Sequence, residues 1–154
     1  MLNPKNATKN IFLSDDDADD CMLFAEALQE IYSENEARLT VVNDGMSLMQ
    51  MLDKTVPPPP EMIFLDINMP KKNGVECLQE IRSSPKLASI PIIIFSTSSN
   101  KDIVDTTYRH GANYYICKPQ SYLHLKKTIE YVLSFDFERL NQRPVRESYV
   151  IKVA

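Results

Sequence analysis

No apolar run in the chain approaches the roughly 20 residues that span a bilayer. The opening decapeptide, MLNPKNATKN, lacks the apolar stretch of a secretory signal. Neither a membrane anchor nor export is expected, and the chain reads as cytoplasmic. An excess of basic charge is also missing. Lys and Arg number 17 against 21 Asp and Glu, a net charge of −4, whereas nucleic-acid-binding domains are usually basic. Cysteine is scarce: Cys21, Cys77 and Cys117 are odd in number, widely spaced and flanked by apolar residues. They read as reduced core thiols rather than a disulfide framework or metal-binding set.

What is present suits one domain with its own core, since 44% of the 154 residues are hydrophobic. From residue 10 to about 135, strand-like and helix-like runs alternate. NIFLS (10–14), RLTVV (38–42), EMIFLD (61–66), IPIIIFS (90–96) and NYYIC (113–117) read as strands. Between and after them, apolar residues recur at helical spacing: Cys21, Phe24 and Leu28; Val75, Leu78 and Ile81; Leu125, Ile129 and Val132. MSLMQMLD suits a short helix with its methionines as core filler, the Asp-Gly at 44–45 opens a turn, and PPPP (57–60) acts as a stiff connector. A helix from Asn100 ends at His110 and Gly111. Five strands alternating with five helices predict an α/β fold with a parallel sheet and helices on both faces.

In such a sheet all strand C-termini share one edge, where ligands bind. Strand one ends in Asp15 and Asp16, strand three in Asp66, strand four in Ser96 and Thr97, strand five in Lys118 and Pro119. Taken singly, each residue has a structural explanation: an aspartate capping a helix, a turn, a surface lysine. Together they are complementary. Clustered carboxylates need a counter-charge, and a hard divalent cation, Mg²⁺ or Mn²⁺, accepts oxygen ligands. Without histidine or cysteine at these ends, zinc is not expected. An ammonium and a hydroxyl suit a phosphoryl group, whose transfer depends on positioning and charge neutralisation, and a carboxylate can be the nucleophile. Asp17, Asp19 and Asp20 complete a run of five aspartates in six positions; they are expected to favour the helix dipole, one as a cap.

The segments FLSDDD, FLDINMPKKNG, PIIIFSTSS and YYICKP resemble the signatures of response-regulator receiver domains of two-component signalling, over about residues 9–135. Their phrasing is similar to stand-alone receivers associated with phytochromes. The resemblance implies a flavodoxin-like doubly wound sheet of order 2-1-3-4-5. It makes Asp66 the phosphoacceptor and Asp15, Asp16, Asp66 and the Asn68 backbone carbonyl the metal ligands. Lys118, Ser96 and Thr97 would meet the phosphoryl group, with the Thr97 methyl narrowing access to it. Ser96 and Tyr115 would be the switch pair, with a cis peptide to Pro119. The implied partners are a sensor histidine kinase or phosphotransfer protein and a downstream protein; a homodimer stays open. Such a protein is not an enzyme, beyond hydrolysis of its own acyl phosphate.

Two other readings are a degenerate receiver acting only as a scaffold and a hydrolase of the related phosphoaspartyl type. The complete residue set argues against the first, and Asn68, where the hydrolase needs its acid, against the second. The domain layout expected is a flexible start (1–8), the receiver (9–135) and an extension (136–154) too short for an output domain. The extension's ESYVIKVA could add a strand, dock on its own chain or a twin, or fray.

Overall fold

The structure, a computed structural model, describes residues 8–54 and 60–153. The expected flexible start, except Thr8, and Pro57–Pro59 of the proline connector lie outside the described residues. Thr8 is tied down, its hydroxyl donating to the Asn35 carbonyl at 2.7 Å.

Strands β1 (Lys9–Ser14), β2 (Ala37–Val42), β3 (Met62–Leu65), β4 (Ile92–Ser96) and β5 (Tyr114–Cys117) alternate with helices α1 (Ala18–Ile31), α2 (Gly45–Lys54), α3 (Gly74–Ser83), α4 (Lys101–Arg109) and α5 (Tyr122–Leu133). The sheet is wholly parallel, in the order β2-β1-β3-β4-β5. β3 and β4 are buried at every residue, as their unbroken apolar runs require of strands covered on both faces. Two apolar layers flank them. One holds Phe24 and Leu28 of α1 with Leu125, Ile129 and Val132 of α5. The other holds Leu48 and Leu52 of α2, Leu78 and Ile81 of α3 and Val104 of α4.

Helix starts are chemically marked. Asp17 caps α1 by accepting from the Asp20 N–H, Asn73 and Glu76 form a capping box on α3, Asn100 caps α4 and Ser121 caps α5. Gly45 begins α2 rather than forming a turn, with Asp44 accepting from the Ser47 N–H at 2.7 Å. Met46 and Met51 are exposed and not core filler, Met49 packs partly buried against the core, and Leu48 and Leu52 carry the burial. Cys21 and Cys77 are core thiols as expected, and burial raises their pKa to about 11 and about 12. Cys117 is exposed, because it closes β5 where the sheet meets solvent.

The extension docks on its own chain and wraps the β5 edge. Helix α6 (Phe137–Asn141) sends Leu140 into the α1/α5 layer, and the Leu140 carbonyl accepts from Asn113 Nδ2 at 2.8 Å. Helix α7 (Arg146–Tyr149) sends Tyr149, wholly buried, into the opposite layer. Val150 bridges Tyr115 in parallel, and the Ile151 N–H donates to the Tyr115 carbonyl at 2.9 Å. Tyr108 donates to the Pro144 carbonyl at 2.8 Å and Arg146 pairs with Asp105 at 2.9 Å. An exposed edge strand is thereby partly covered.

Candidate functional site

The sheet ladder runs past the strand ends and fixes the acidic site. The Asp15 N–H donates to the Val42 carbonyl at 3.0 Å, and the Asp66 N–H donates to the Ser14 carbonyl at 2.9 Å. Backbone pairing therefore sets Asp15 and Asp66 side by side at the C-terminal edge. Asp15 is wholly buried and Asp66 is 6% exposed, whereas Asp16 is exposed. Carboxylate oxygens of all three lie within 4.8 Å of one another.

Each buried carboxylate has one oxygen anchored locally. Asp15 Oδ1 accepts from the Asp17 N–H at 3.0 Å and Asp66 Oδ1 from the Ile67 N–H at 2.8 Å. Behind Asp66, Gly74 opens α3 so closely that a Cβ there would stand 2.1 Å from the Asp66 carbonyl oxygen. Only glycine permits that approach, and the Gly74 N–H closes the loop onto the Ile67 carbonyl at 2.8 Å.

Lys118 leaves the end of β5, its N–H donating to the Ser96 carbonyl at 2.8 Å. Its nearly buried ammonium lies 2.7 Å from Asp15 Oδ2, 2.8 Å from Asp20 Oδ2 and 3.5 Å from Asp66 Oδ2. The Asp15 pairing is a charge contact without hydrogen-bond alignment, so Asp15 Oδ2 has no aligned donor. Burial works against the Lys118 charge, but Asp15 and Asp20 outweigh it and the ammonium pKa is raised. Burial, then the Asp15 charge, push the Asp66 pKa up to about 6 while Lys118 pulls it down.

The donor set tests well against a hard divalent cation. Asp15, Asp20 and Asp66 share one ammonium, Asp16 adds a further carboxylate beside them, and a buried oxygen lacks an aligned donor among the described residues. The oxygen-only ligands suit such an ion.

The remaining expected residues surround this edge. Ser96 is wholly buried, its Oγ accepting from the Ser98 N–H at 3.2 Å. Thr97 and Asn68 are exposed. Tyr115 is buried to 1%, its hydroxyl donating to the Ser98 carbonyl at 2.6 Å. Asp20 is the residue the sequence reading missed. Its expected dipole role is only part of its placement, because its carboxylate reaches across to Lys118.

A doubly wound sheet carrying this acidic edge beside a strand-end lysine defines a phosphoacceptor class of signalling domain. The chain belongs to the family of the response regulator receiver domain, whose model matches residues 11–130. It is therefore a response regulator of two-component systems, built around a phosphorylation-dependent switch. It is 34% identical over 142 residues to the response regulator Rcp1 of Synechocystis sp. (strain ATCC 27184 / PCC 6803 / Kazusa), covering 90% of this chain and 95% of that protein. The crystal structure of the phosphorylated cyanobacterial phytochrome response regulator RcpA superposes with a TM-score of 0.77 at 36% identity, covering 84% of this chain and 94% of that one. The Mn²⁺-bound form of Rcp1 superposes with a TM-score of 0.73 at 34% identity, covering 82% and 93%.

Proposed function

We propose that Asp66 accepts the phosphoryl group, from the phosphohistidine of a sensor kinase or phosphotransfer protein. The observation that carries this is the placement of Asp66: nearly buried, one oxygen anchored by Ile67, the other 3.5 Å from the Lys118 ammonium. In the transfer, an Asp66 oxygen forms the new bond to phosphorus as the bond from phosphorus to the imidazole nitrogen breaks. The bonding pair returns to the ring. Lys118 neutralises phosphoryl oxygens and the Ser96 hydroxyl donates a hydrogen bond to another, with Thr97 beside it. Asp15, Asp16, Asp66 and the Asn68 carbonyl would hold Mg²⁺, which supplies charge neutralisation at the transferring oxygens. Water later hydrolyses the acyl phosphate, and no other substrate is turned over.

The readout is the face of α4, β5 and α5, through Ser96 and Tyr115, as a local charge event biasing a two-state element. The peptide to Pro119 is cis in this reading. Residues 9–135 form the receiver and 136–154 an extension, whose described residues pack against α4 and β5. The likeness to a phytochrome response regulator supports a phytochrome-like kinase as the donor, and among the described residues no helix is long and apolar enough to cross a membrane, which suits a cytoplasmic protein.

The test is mass spectrometry after incubation with acetyl phosphate and Mg²⁺. A single phosphoryl addition, absent in Asp66→Asn, is expected. No addition to the wild type overturns the reading.

A further inference from the structure

Lys118 has more carboxylate partners than a phosphoryl clamp needs. Asp20 Oδ2 lies 2.8 Å from its ammonium, nearer than Asp66 at 3.5 Å. The contact is built into the fold. Asp17 caps α1 by accepting from the Asp20 N–H at 3.0 Å, which fixes the first helical turn and aims the Asp20 side chain across the site. Asp20 is about one-third exposed at the rim, while the ammonium it holds is nearly buried. The neighbouring Asp19 is exposed and meets no cation among the described residues.

We infer that Asp20 is a positioning residue that holds Lys118 towards the rim and away from Asp66, favouring the divalent cation and opposing the phosphoryl group. This rests on the phosphoacceptor reading above.

The two effects follow from charge. A cation that takes Asp15 Oδ2 must displace the ammonium 2.7 Å away, and Asp20 gives that ammonium somewhere to remain. Without the Asp20 charge, Lys118 keeps its contact with Asp15, closes on Asp66 and competes with the cation, and the site also loses one negative charge. Both changes weaken cation binding. The phosphoryl group meets the opposite situation. Asp20 withholds part of the ammonium from it and adds a like charge within reach of the same nitrogen. Removing that charge tightens an anion on Asp66.

A residue that only shaped the start of α1 would, when replaced, weaken both ligands together. Opposed effects identify positioning through Lys118. Asp20→Asn keeps the side-chain shape, Asp20→Glu restores the charge, and Asp19→Asn is the neighbouring control.

The experiment is a Mn²⁺ titration followed by electron paramagnetic resonance, with a beryllofluoride titration at saturating Mg²⁺ followed by calorimetry. In Asp20→Asn the Mn²⁺ Kd is expected to rise about fivefold and the beryllofluoride Kd to fall about threefold. Asp20→Glu returns both towards wild type, and Asp19→Asn moves neither. A thermal melt checks that Asp20→Asn remains folded. Both affinities falling in parallel, or neither moving, overturns the inference. If the wild type binds neither ion, the phosphoacceptor reading itself fails and takes this inference with it.

Discussion

Lys118 leans towards Asp15, at 2.7 Å, and away from Asp66, at 3.5 Å. Of the two buried carboxylates the proposed acceptor is thus the less compensated, and burial, then the Asp15 charge, raise its pKa against the weaker pull of Lys118. A buried anion short of counter-charge costs the folded state free energy. On the proposed function, the site holds its charge ready for a cation and a phosphoryl group at the expense of stability.

Replacing Asp66 by Asn should therefore stabilise the metal-free protein at neutral pH. The Asp66 pKa is raised from 3.8 to about 6 on folding, so the native state binds more protons between those values. Stability falls as pH rises through that window, and the full penalty stands above pH 6. The whole shift corresponds to about 3 kcal/mol; allowing for screening, about 1–2 kcal/mol is expected. Thermal melts should show Asp66→Asn gaining about 2–8 °C at pH 7.5 and little at pH 4. An equal gain at both pH values contradicts this origin.

Lys118→Met should act in the opposite sense. It strands Asp15 and Asp66 without their ammonium, and breaking a buried pair costs about 3–5 kcal/mol. Protonation of Asp66 relieves part of the loss, so urea unfolding should find the deficit larger at pH 8 than at pH 5. Added Mg²⁺ should recover more stability in this variant than in the wild type.

Within the acidic run, the substitutions should separate cleanly. Asp16→Ala removes an exposed member of the carboxylate triad and should abolish divalent-cation-dependent phosphorylation by acetyl phosphate. Asp19→Ala, outside that triad, should leave it nearly intact. Equal loss in both would remove the special standing of Asp16.

Tyr149 anchors the extension, its hydroxyl 2.7 Å from Thr107 Oγ1 and its ring 6.0 Å from that of Tyr115. Tyr149→Phe loses one hydrogen bond and should cost about 1 kcal/mol. Tyr149→Ala empties a core position and should cost about 3–5 kcal/mol. Urea denaturation measures both, and a cost near zero for the alanine variant would mean the extension contributes nothing to the fold.

The sheet and its acidic edge were legible because strand period, strand ends and parallel topology are local signals. Asp15, Asp66 and Lys118 each close an apolar run, and a parallel sheet brings such closures together. Asp20 was not legible. Whether a first-turn carboxylate points to solvent or across the edge depends on the pitch of α1 against β5, which residue spacing does not specify. The extension was left undecided for a related reason. Leu140 is an isolated apolar residue in a polar segment and Tyr149 opens the short apolar run 149–151, and only tertiary packing assigns the two to opposite layers of the sheet. Cys117 misled because an apolar neighbourhood in sequence says nothing about the last residue of a strand.

If the α4–β5 face is the readout, as proposed above, the wrapped extension also changes what kind of event that readout must be. The α4–β5 face already has an occupant, tethered to it at an effective concentration on the order of millimolar. A free protein that recognises this face has to exchange with that occupant, and its apparent affinity falls with the fraction of molecules in which the tether is released. Response threshold then becomes a property of residues 143–151 as much as of the acceptor. Changes at Tyr108, Arg146 or Tyr149 could retune the amount of signal needed while leaving the chemistry at Asp66 as it was.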